Sequence, residues 1–192
     1  MKPSSTRSGN LYRLIVLSIM GTIAVLLMFL SFPLPIPFIP PYLRIDISDI
    51  PALIAGVVFS PVAGIIVVGI KNLLYLLITA VSDPIGVVAN FIAGVFFVVP
   101  VGFMYMKYKT KRSVLYGLLF GTLLLAVSMA VGNYFLFIPA YSWFMGWETM
   151  PQAVKLNTVL IGILPFNLIK GIVVGLIFLL IFLKLEKWIK KT

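Results

Sequence analysis

The sequence predicts an all-α integral membrane protein, a bundle of six helices that forms a single domain over residues 1–192. Of these residues, 61% are hydrophobic and 10% are charged, and the mean hydropathy is +1.15. Soluble domains have about 25% charged residues. After folding, a soluble chain of this length would still expose to water roughly a third of the surface that its unfolded chain exposes. So much apolar surface therefore indicates that lipid is the solvent.

The positions of the helices follow from the apolar runs, because a helix needs about 20 apolar residues to cross a membrane. Ser60-Pro61 ends the second run early, as a turn or as a kink, and we favour a turn because one helix over 49–79 would exceed the membrane thickness. Pro165 predicts a kink in the last helix. The predicted helices cover residues 11–32, 49–59, 61–79, 85–105, 113–137 and 156–183, with long loops at 33–47 and 138–156.

The basic residues predict that both termini are cytoplasmic. With that orientation the outer loops contain only Arg44 and Lys155. Cytoplasmic loops of membrane proteins are enriched in Lys and Arg, so the net charge of +10 does not indicate nucleic-acid binding. Eleven basic residues then lie on the inner side: Lys2, Arg7, Arg13, Lys107, Lys109, Lys111, Arg112, Lys184, Lys187, Lys190 and Lys191.

The composition argues against an enzyme. The chain has no Cys and no His, which removes thiolate and imidazole chemistry and the usual ligands of zinc. Few carboxylates are present for acid–base catalysis. The sequence also has no Walker motif, so the chain is not expected to hydrolyse ATP itself. We expect no catalytic residue, no metal site and no cofactor.

Polar residues inside the predicted helices mark a candidate binding site, because such residues are costly in a bilayer. Asn167 and Lys170 are three positions apart and share one helical face. Together with Asn133 they predict an outward-opening cavity for a polar, neutral or weakly acidic organic molecule. For Asn72 and Asn90, simple hydrogen bonding between helices is an equally good explanation. Lys71 either pairs with an acidic residue or extends its ammonium group outward.

The most distinctive segments of the sequence are Asp46-Ile-Ser-Asp-Ile-Pro-Ala52 and Pro165-Phe-Asn-Leu-Ile-Lys170. They resemble segments of the riboflavin-type substrate-binding subunit, or S component, of energy-coupling-factor vitamin transporters. The resemblance extends over almost the whole chain. Further similar segments are Phe32-Pro-Leu-Pro-Ile-Pro37, Gly69-Ile-Lys-Asn-Leu-Leu74 and Ala89-Asn-Phe-Ile-Ala-Gly94.

This resemblance implies a vitamin site near the outer face, under the loop between the first two helices. It implies hydrogen bonds to the ligand from Asn133, Asn167 and Lys170. The loop 38–46 would cover the flavin ring, with Phe38, Leu43 and Asp46 as further binding residues. The implied partners are a transmembrane coupling subunit and two cytoplasmic ATPase subunits. Small residues on the first helix would contact the coupling subunit, here Ser18, Gly21 and Thr22.

The leading hypothesis is a riboflavin-binding subunit of an ATP-dependent importer in the plasma membrane of a bacterium, with flavin mononucleotide (FMN) left open as a second ligand. Riboflavin would be the transported ligand and not a cofactor. One alternative is an S component for another vitamin, such as thiamine, biotin or pantothenate. A cation like thiamine would be poorly served by Lys170. The other alternative is a membrane scaffold in which the Asn residues only connect helices.

Overall fold

The computed structural model describes residues 5–79 and 82–189 and is almost entirely helical. The predicted basic residues Lys2, Lys190 and Lys191 lie outside these ranges. Two π-helical segments, Asn133–Phe137 and Thr158–Ile163, join α5 to α6 and α7 to α8. The helices are α1 Ser5–Phe29, α2 Asp49–Val58, α3 Pro61–Ile78, α4 Pro84–Tyr108, α5 Lys111–Gly132, α6 Ile138–Met145, α7 Gln152–Asn157 and α8 Leu164–Ile189.

Within the described residues, five helical stretches are long and apolar enough to cross a membrane. The prediction of an all-α membrane protein is confirmed. The ten-residue helix α2 is too short to cross, as its sequence predicts. The five stretches are Gly9–Phe29, Pro61–Ile78, Pro84–Tyr108, Lys111–Met145 and Gln152–Glu186.

The break between α2 and α3 is a turn, and that prediction is confirmed. Ser60 has an extended backbone (φ −175°), and its hydroxyl accepts a hydrogen bond from the Ala63 N–H at 3.1 Å. Pro61 is the first residue of α3, where a missing N–H costs little. The Arg13 guanidinium donates to the Ser60 hydroxyl oxygen at 2.7 Å, so the turn is also attached to α1.

The segment between α1 and α2, residues 30–48, is called the hairpin loop here. It contains two short antiparallel strands, β1 Phe32–Pro33 and β2 Arg44–Ile45. Its prolines prevent a helix, as predicted. The Arg44 side chain donates to the Ser31 hydroxyl at 2.9 Å and to the Ser31 carbonyl at 2.5 Å, which holds the two ends of the hairpin together.

The predicted long loop over 138–156 is wrong. The helix continues through Pro139 to Met145, and helical structure resumes at Gln152, so only residues 146–151 form the connection. Pro139 is tolerated because it lies in the first turn of α6, directly after the π-helical segment. Gly146 then ends α6 in a left-handed conformation (φ 69°), which glycine adopts without strain.

Small residues allow the helices to approach each other closely. A Cβ on Gly117 of α5 would lie 2.8 Å from the Cα of Val101 on α4. Gly21 of α1 has the same role, since a Cβ there would lie 2.8 Å from the Cβ of Ile70 on α3. Gly21 is buried against α3, whereas Ser18 and Thr22 are exposed, and contact of all three with a coupling subunit stays a prediction.

Candidate ligand-binding cavity

A cavity of about 400 Å³ opens at the end of the bundle where the hairpin loop lies. Ligand pockets of small organic molecules generally have volumes of about 300–1,000 Å³. Its walls come from the hairpin loop, α4, the α5–α6 stretch and the start of α8. The cavity is the feature that the sequence predicts from its intramembrane polar residues, and it is located under the predicted loop.

Asn133 and Asn167 both line the cavity and are buried. Each donates an Nδ2 hydrogen bond to the carbonyl four residues earlier in its own helix, to Met129 and to Ile163, both at 2.8 Å. These bonds fix the orientation of the two amides. The amide oxygens are then available to accept hydrogen bonds from a ligand.

Both asparagines are located next to π-helical turns. Asn133 begins the first π-helical segment, and Asn167 follows the second by four residues. A proline comes two residues after each segment, Pro139 in α6 and Pro165 in α8. A π-helical turn shifts the hydrogen-bond ladder and is frequent at functional sites. The local irregularity that Pro165 predicts as a kink is thus a π-helical segment just before it.

Lys170 is paired with a carboxylate. Its Nζ lies 3.0 Å from Asp46 Oδ2 and 4.0 Å from Asp49 Oδ2, and both pairs are buried. Lys170 and Asp46, which are each predicted to bind the ligand, both line the cavity and form a salt bridge with each other. Sequence spacing does not predict this contact.

Lys71 is fully buried and also paired. Its Nζ lies 2.5 Å from Asp49 Oδ1 and donates to the Ser48 hydroxyl oxygen at 2.6 Å. Of the two alternatives for Lys71, pairing with an acidic residue is therefore correct. Asp49 is the first residue of α2, where the helix dipole also favours a negative charge.

These side chains form one buried ionic cluster: Asp46, Ser48, Asp49, Lys71 and Lys170. Ser48 joins the two ion pairs, because its N–H donates to Asp46 Oδ1 at 2.9 Å and its hydroxyl bonds to the same oxygen. Two carboxylates and two ammonium groups make the cluster neutral, which is what burial in a membrane protein requires. Asp46 and Lys170 expose it to the cavity.

The charge state of Asp46 follows from this arrangement. Burial alone would raise the pKa of its carboxyl group, but the nearby ammonium groups of Lys170 and Lys71 and the Ser48 hydrogen bond lower the pKa by more. The net effect holds the pKa of Asp46 well below its ordinary value. Asp46 is therefore ionised at neutral pH and remains a hydrogen-bond acceptor in the cavity wall.

Three aromatic side chains at the cavity, Tyr42, Tyr141 and Trp147, form what we call the aromatic rim. The rings of Tyr141 and Trp147 stack at 4.5 Å between centroids, and Tyr42 meets Trp147 edge-on at 6.1 Å. The Tyr141 hydroxyl lies 3.0 Å from both carboxylate oxygens of Asp83, the residue that caps α4. The rim thus connects the hairpin loop, the start of α4 and the region after α5.

Most predicted site residues meet at the cavity. Besides the residues above, Leu43 lines it. Phe38 does not, and its side chain is 71% exposed. Asn90 lines the cavity, whereas Asn72 is outside the lining. The sequence does not identify Asp83 or the aromatic rim as site residues, because Tyr and Trp at a membrane boundary are ordinarily interface anchors.

Comparison with known proteins identifies the family. The family model "ECF transporter, substrate-specific component" matches residues 12–182. The chain belongs to this family. The resemblance found in the sequence is therefore confirmed over nearly its whole length.

The relatives of this chain described next are named as transporters, in agreement with the expectation that the chain is not an enzyme. It is 43% identical over 181 residues to "Riboflavin transporter FmnP" of Bacillus subtilis (strain 168), covering 93% of this chain and 94% of that protein. It is 39% identical over 179 residues to "Riboflavin transporter RibU" of Staphylococcus aureus (strain TCH60), covering 93% of each protein.

A solved structure of an S component has the same fold. It is reported as "Structure and mechanism of the S component of a bacterial ECF transporter", with a TM-score of 0.78 and 37% sequence identity. The alignment covers 94% of this chain and 99% of the other. At this identity and coverage the two chains share their architecture from α1 to α8.

Proposed function

We propose that this protein is the riboflavin-binding membrane subunit of an ATP-dependent energy-coupling-factor importer. The main support is the cavity, which combines a polar wall of amides with a balanced set of charges. Among the described residues, four charged side chains line it, Arg44, Asp46, Asp83 and Lys170, and their formal charges cancel. Riboflavin is an uncharged molecule, so such a site matches it. The names of two relatives at 43% and 39% identity point to the same ligand.

The same charge balance disfavours the other vitamins considered. Thiamine is a cation, whereas biotin and pantothenate carry a carboxylate, and each would leave a net charge in the cavity. FMN would bring a phosphate close to two carboxylates, while Lys170 is already paired with Asp46. Arg44 is the remaining cation of the lining, and it is bonded to Ser31. These contacts favour riboflavin over FMN.

The shape and chemistry of the walls fit the two parts of riboflavin. The aromatic rim and apolar side chains such as Phe166 and Met129 provide contact surface for a planar ring. Asn133, Asn167 and Asp46 provide acceptors for hydroxyl and N–H groups. A flavin has both kinds of group, with an apolar ring system, one imide N–H and four hydroxyl groups on its chain.

The family implies partners, a location and an orientation, and we include these in the proposal. The partners would be a transmembrane coupling subunit and two cytoplasmic ATPase subunits, in the plasma membrane of a bacterium. Ser18 and Thr22 are exposed on α1 and are available for contact with the coupling subunit. Both termini would be cytoplasmic, with the cavity at the outer face.

Absorption spectroscopy tests the ligand. We expect the protein, purified in mild detergent from cells grown in rich medium, to show a flavin spectrum and to quench the fluorescence of added riboflavin. Thiamine, biotin and pantothenate should not compete, and FMN should bind more weakly. Asn167→Leu should lose the bound flavin while keeping its helical circular dichroism. A colourless wild-type protein that leaves riboflavin fluorescence unchanged would contradict the proposal.

Cysteine labelling tests the orientation, because the chain contains no cysteine of its own. A membrane-impermeant maleimide added to intact cells should label Glu148→Cys, an exposed position in the connection after α6. It should not label Lys109→Cys, in the connection between α4 and α5, until the cells are opened. The reverse pattern would place the cavity on the cytoplasmic side and exclude capture of a vitamin from outside.

A further inference from the structure

A second, smaller groove lies at the same end of the bundle as the ligand cavity. The connection after α6 contributes to both sites, because Trp147 lines the cavity and Thr149 lines the groove. Ser142 and Trp143 of α6 and Lys155 of α7 also line the groove. Its volume is about 170 Å³, below the roughly 300–1,000 Å³ of pockets that enclose whole small molecules. The groove therefore fits one group of a larger molecule.

Lys155 gives the groove a positive charge. It is the one charged residue of the lining in the described part of the chain. Lys71, Lys111 and Lys170 are each paired with a carboxylate. For Lys155 the structure records no ion pair among the described residues, and its Nζ lies 4.4 Å from the centroid of the Tyr134 ring, a contact that supplies no anion. An anion in the groove would give this ammonium group the partner it lacks.

Two hydroxyl groups add hydrogen-bond donors to the same groove. The side chains of Ser142 and Thr149 line it, and neither has a hydrogen-bond partner within the residues that the structure describes. A hydroxyl donates one hydrogen bond and an ammonium group donates three. The groove thus combines one cation with free donors, a set that suits the oxygens of a phosphate group.

The surroundings of the groove are apolar and exposed. Trp143 lines the groove and is 84% exposed, and Phe135 and Phe144 on the adjoining helical stretch are also exposed. Tryptophan is enriched where a membrane helix meets the headgroup region. In a bilayer these side chains contact lipid, so the donors of the groove are located beside a surface for acyl chains.

We infer that this groove binds the phosphate group of an anionic phospholipid, with Lys155 as its main contact. Basic residues near a membrane surface attract anionic lipids. A zwitterionic lipid also has a phosphate, but its headgroup brings a second positive charge next to Lys155. The site is distinct from the vitamin cavity, and the inference does not depend on the identity of the transported ligand.

Fluorescence quenching by brominated lipids tests the site directly. The chain has three tryptophans, so Trp147→Phe/Trp188→Phe leaves Trp143 at the groove as the only one. This variant is placed in phosphatidylcholine nanodiscs that contain either brominated phosphatidylglycerol or brominated phosphatidylcholine, with the bromines on the acyl chain near the glycerol. We expect phosphatidylglycerol to associate at Trp143 about fivefold more strongly than phosphatidylcholine, the preference that one basic residue near a membrane surface provides.

Substitutions of Lys155 show whether its charge is responsible. Lys155→Gln should reduce the preference for phosphatidylglycerol to about one, whereas Lys155→Arg should keep it. Lys107→Gln is the matched control, because Lys107 is exposed near the opposite end of α4 from Asp83 and does not line the groove. It should retain the full preference. If the two Phe substitutions unfold the protein, the preference measured from all three tryptophans should still fall on Lys155→Gln.

Three results would overturn the inference. One is equal quenching of Trp143 by the two brominated lipids, and another is an unchanged preference in Lys155→Gln. The third is loss of the preference when soluble glycerol phosphate is added in excess, since that result would assign the groove to a free phosphate compound. If neither lipid quenches Trp143, the groove is covered by another protein surface, which also contradicts a lipid site.

Discussion

Lys170 of α8 and Asp46 of the hairpin loop form a buried salt bridge of 3.0 Å across 124 residues of sequence. This pair fixes the end of the hairpin loop to the helix that contributes Asn167. Since both partners also line the cavity, the same contact closes the loop over the site and shapes its polar wall. We therefore expect substitutions of this pair to affect both riboflavin binding and stability.

Lys170→Met should weaken riboflavin binding and lower stability together. The substitution leaves the Asp46 carboxylate buried with only part of its compensation, and breaking a buried ion pair costs about 3–5 kcal/mol. A loss of about 1.4 kcal/mol in binding free energy is a tenfold loss of riboflavin affinity, and we expect at least that loss for Lys170→Met. Fluorescence titration and thermal unfolding in detergent measure the two effects.

The double variant Asp46→Asn/Lys170→Met is the control for that experiment. It removes both charges, so its unfolding temperature should lie above that of Lys170→Met alone. Equal or lower stability of the double variant would show that the two side chains are not energetically coupled.

Lys71→Met should destabilise the protein while affecting the ligand only indirectly. Lys71 is fully buried and bonds to Asp49 and Ser48, but it does not line the cavity. Removing its charge leaves Asp49 poorly compensated, at a cost of about 3–5 kcal/mol. We expect a lower unfolding temperature with riboflavin affinity within about threefold of wild type, as the ligand contacts remain. An affinity loss equal to that of Lys170→Met would place Lys71 in the ligand site.

The lowered pKa of Asp46 predicts how stability depends on pH. A carboxyl group whose pKa is lower in the folded state stabilises the protein above its ordinary pKa of 3.8, and this contribution is lost as the pH falls toward the lowered value. The difference in unfolding temperature between wild type and Asp46→Asn should therefore stay constant from about pH 8 to pH 5 and shrink only below about pH 4. A difference that already shrinks between pH 7 and pH 5 would contradict the lowered pKa.

Much of the bundle could be predicted because apolar run length and proline position report directly on membrane helices. The turn at Ser60 illustrates this, as serine and proline there satisfy the local rules for a helix start. The extent of the helix past Pro139 could not be predicted, because a π-helical turn depends on packing with other helices. Proline normally indicates a break, and nothing local in the sequence indicates that the hydrogen-bond ladder shifts before it.

For the site too, the sequence predicts which residues share a helix face but not which distant segments come into contact. Asn167 and Lys170 share a helical face, which sequence spacing alone establishes. The partners of Lys170 and Lys71 come from the hairpin loop and α2, and no spacing rule connects residues so far apart. The hydrogen bond from Tyr141 to Asp83 could not be predicted either, because it joins two segments that are far apart in the sequence.

Tyr141→Phe should speed the release of riboflavin. The variant keeps the ring that stacks on Trp147 but loses the hydroxyl that donates to Asp83, so one connection across the aromatic rim is lost. A net hydrogen bond to a charged group is worth about 1.5–3 kcal/mol, which predicts a dissociation rate at least tenfold higher. Stopped-flow fluorescence of riboflavin release measures that rate.

Tyr134→Phe is the matched control for this prediction. The Tyr134 ring lies 4.4 Å from Lys155 Nζ, a contact that phenylalanine can also make, and Tyr134 is not among the cavity-lining residues. Its dissociation rate should match wild type. If Tyr141→Phe also releases riboflavin at the wild-type rate, the Tyr141–Asp83 bond does not retain the ligand.

Two substitutions on α1 should differ in their effect on stability, because Gly21 is buried in the bundle and Ser18 is exposed. Gly21 is buried, and a side chain there would collide with Ile70 of α3, so Gly21→Leu should lower stability by about 1–3 kcal/mol. Ser18 is exposed on the outer surface of α1. Ser18→Leu should leave the unfolding temperature and riboflavin affinity unchanged, since its environment is already lipid in the isolated subunit.

The effect of Ser18→Leu is expected only when the partner subunits are present. If Ser18 contacts the coupling subunit as proposed, Ser18→Leu should reduce ATP-dependent riboflavin uptake by cells while the purified subunit binds riboflavin normally. The reason is that small residues allow close approach of membrane helices, and a leucine would hold the two helices apart. Leu14→Ile, at an exposed position one turn earlier on α1, serves as the control and should retain uptake. Wild-type uptake by Ser18→Leu would move the coupling surface away from this part of α1.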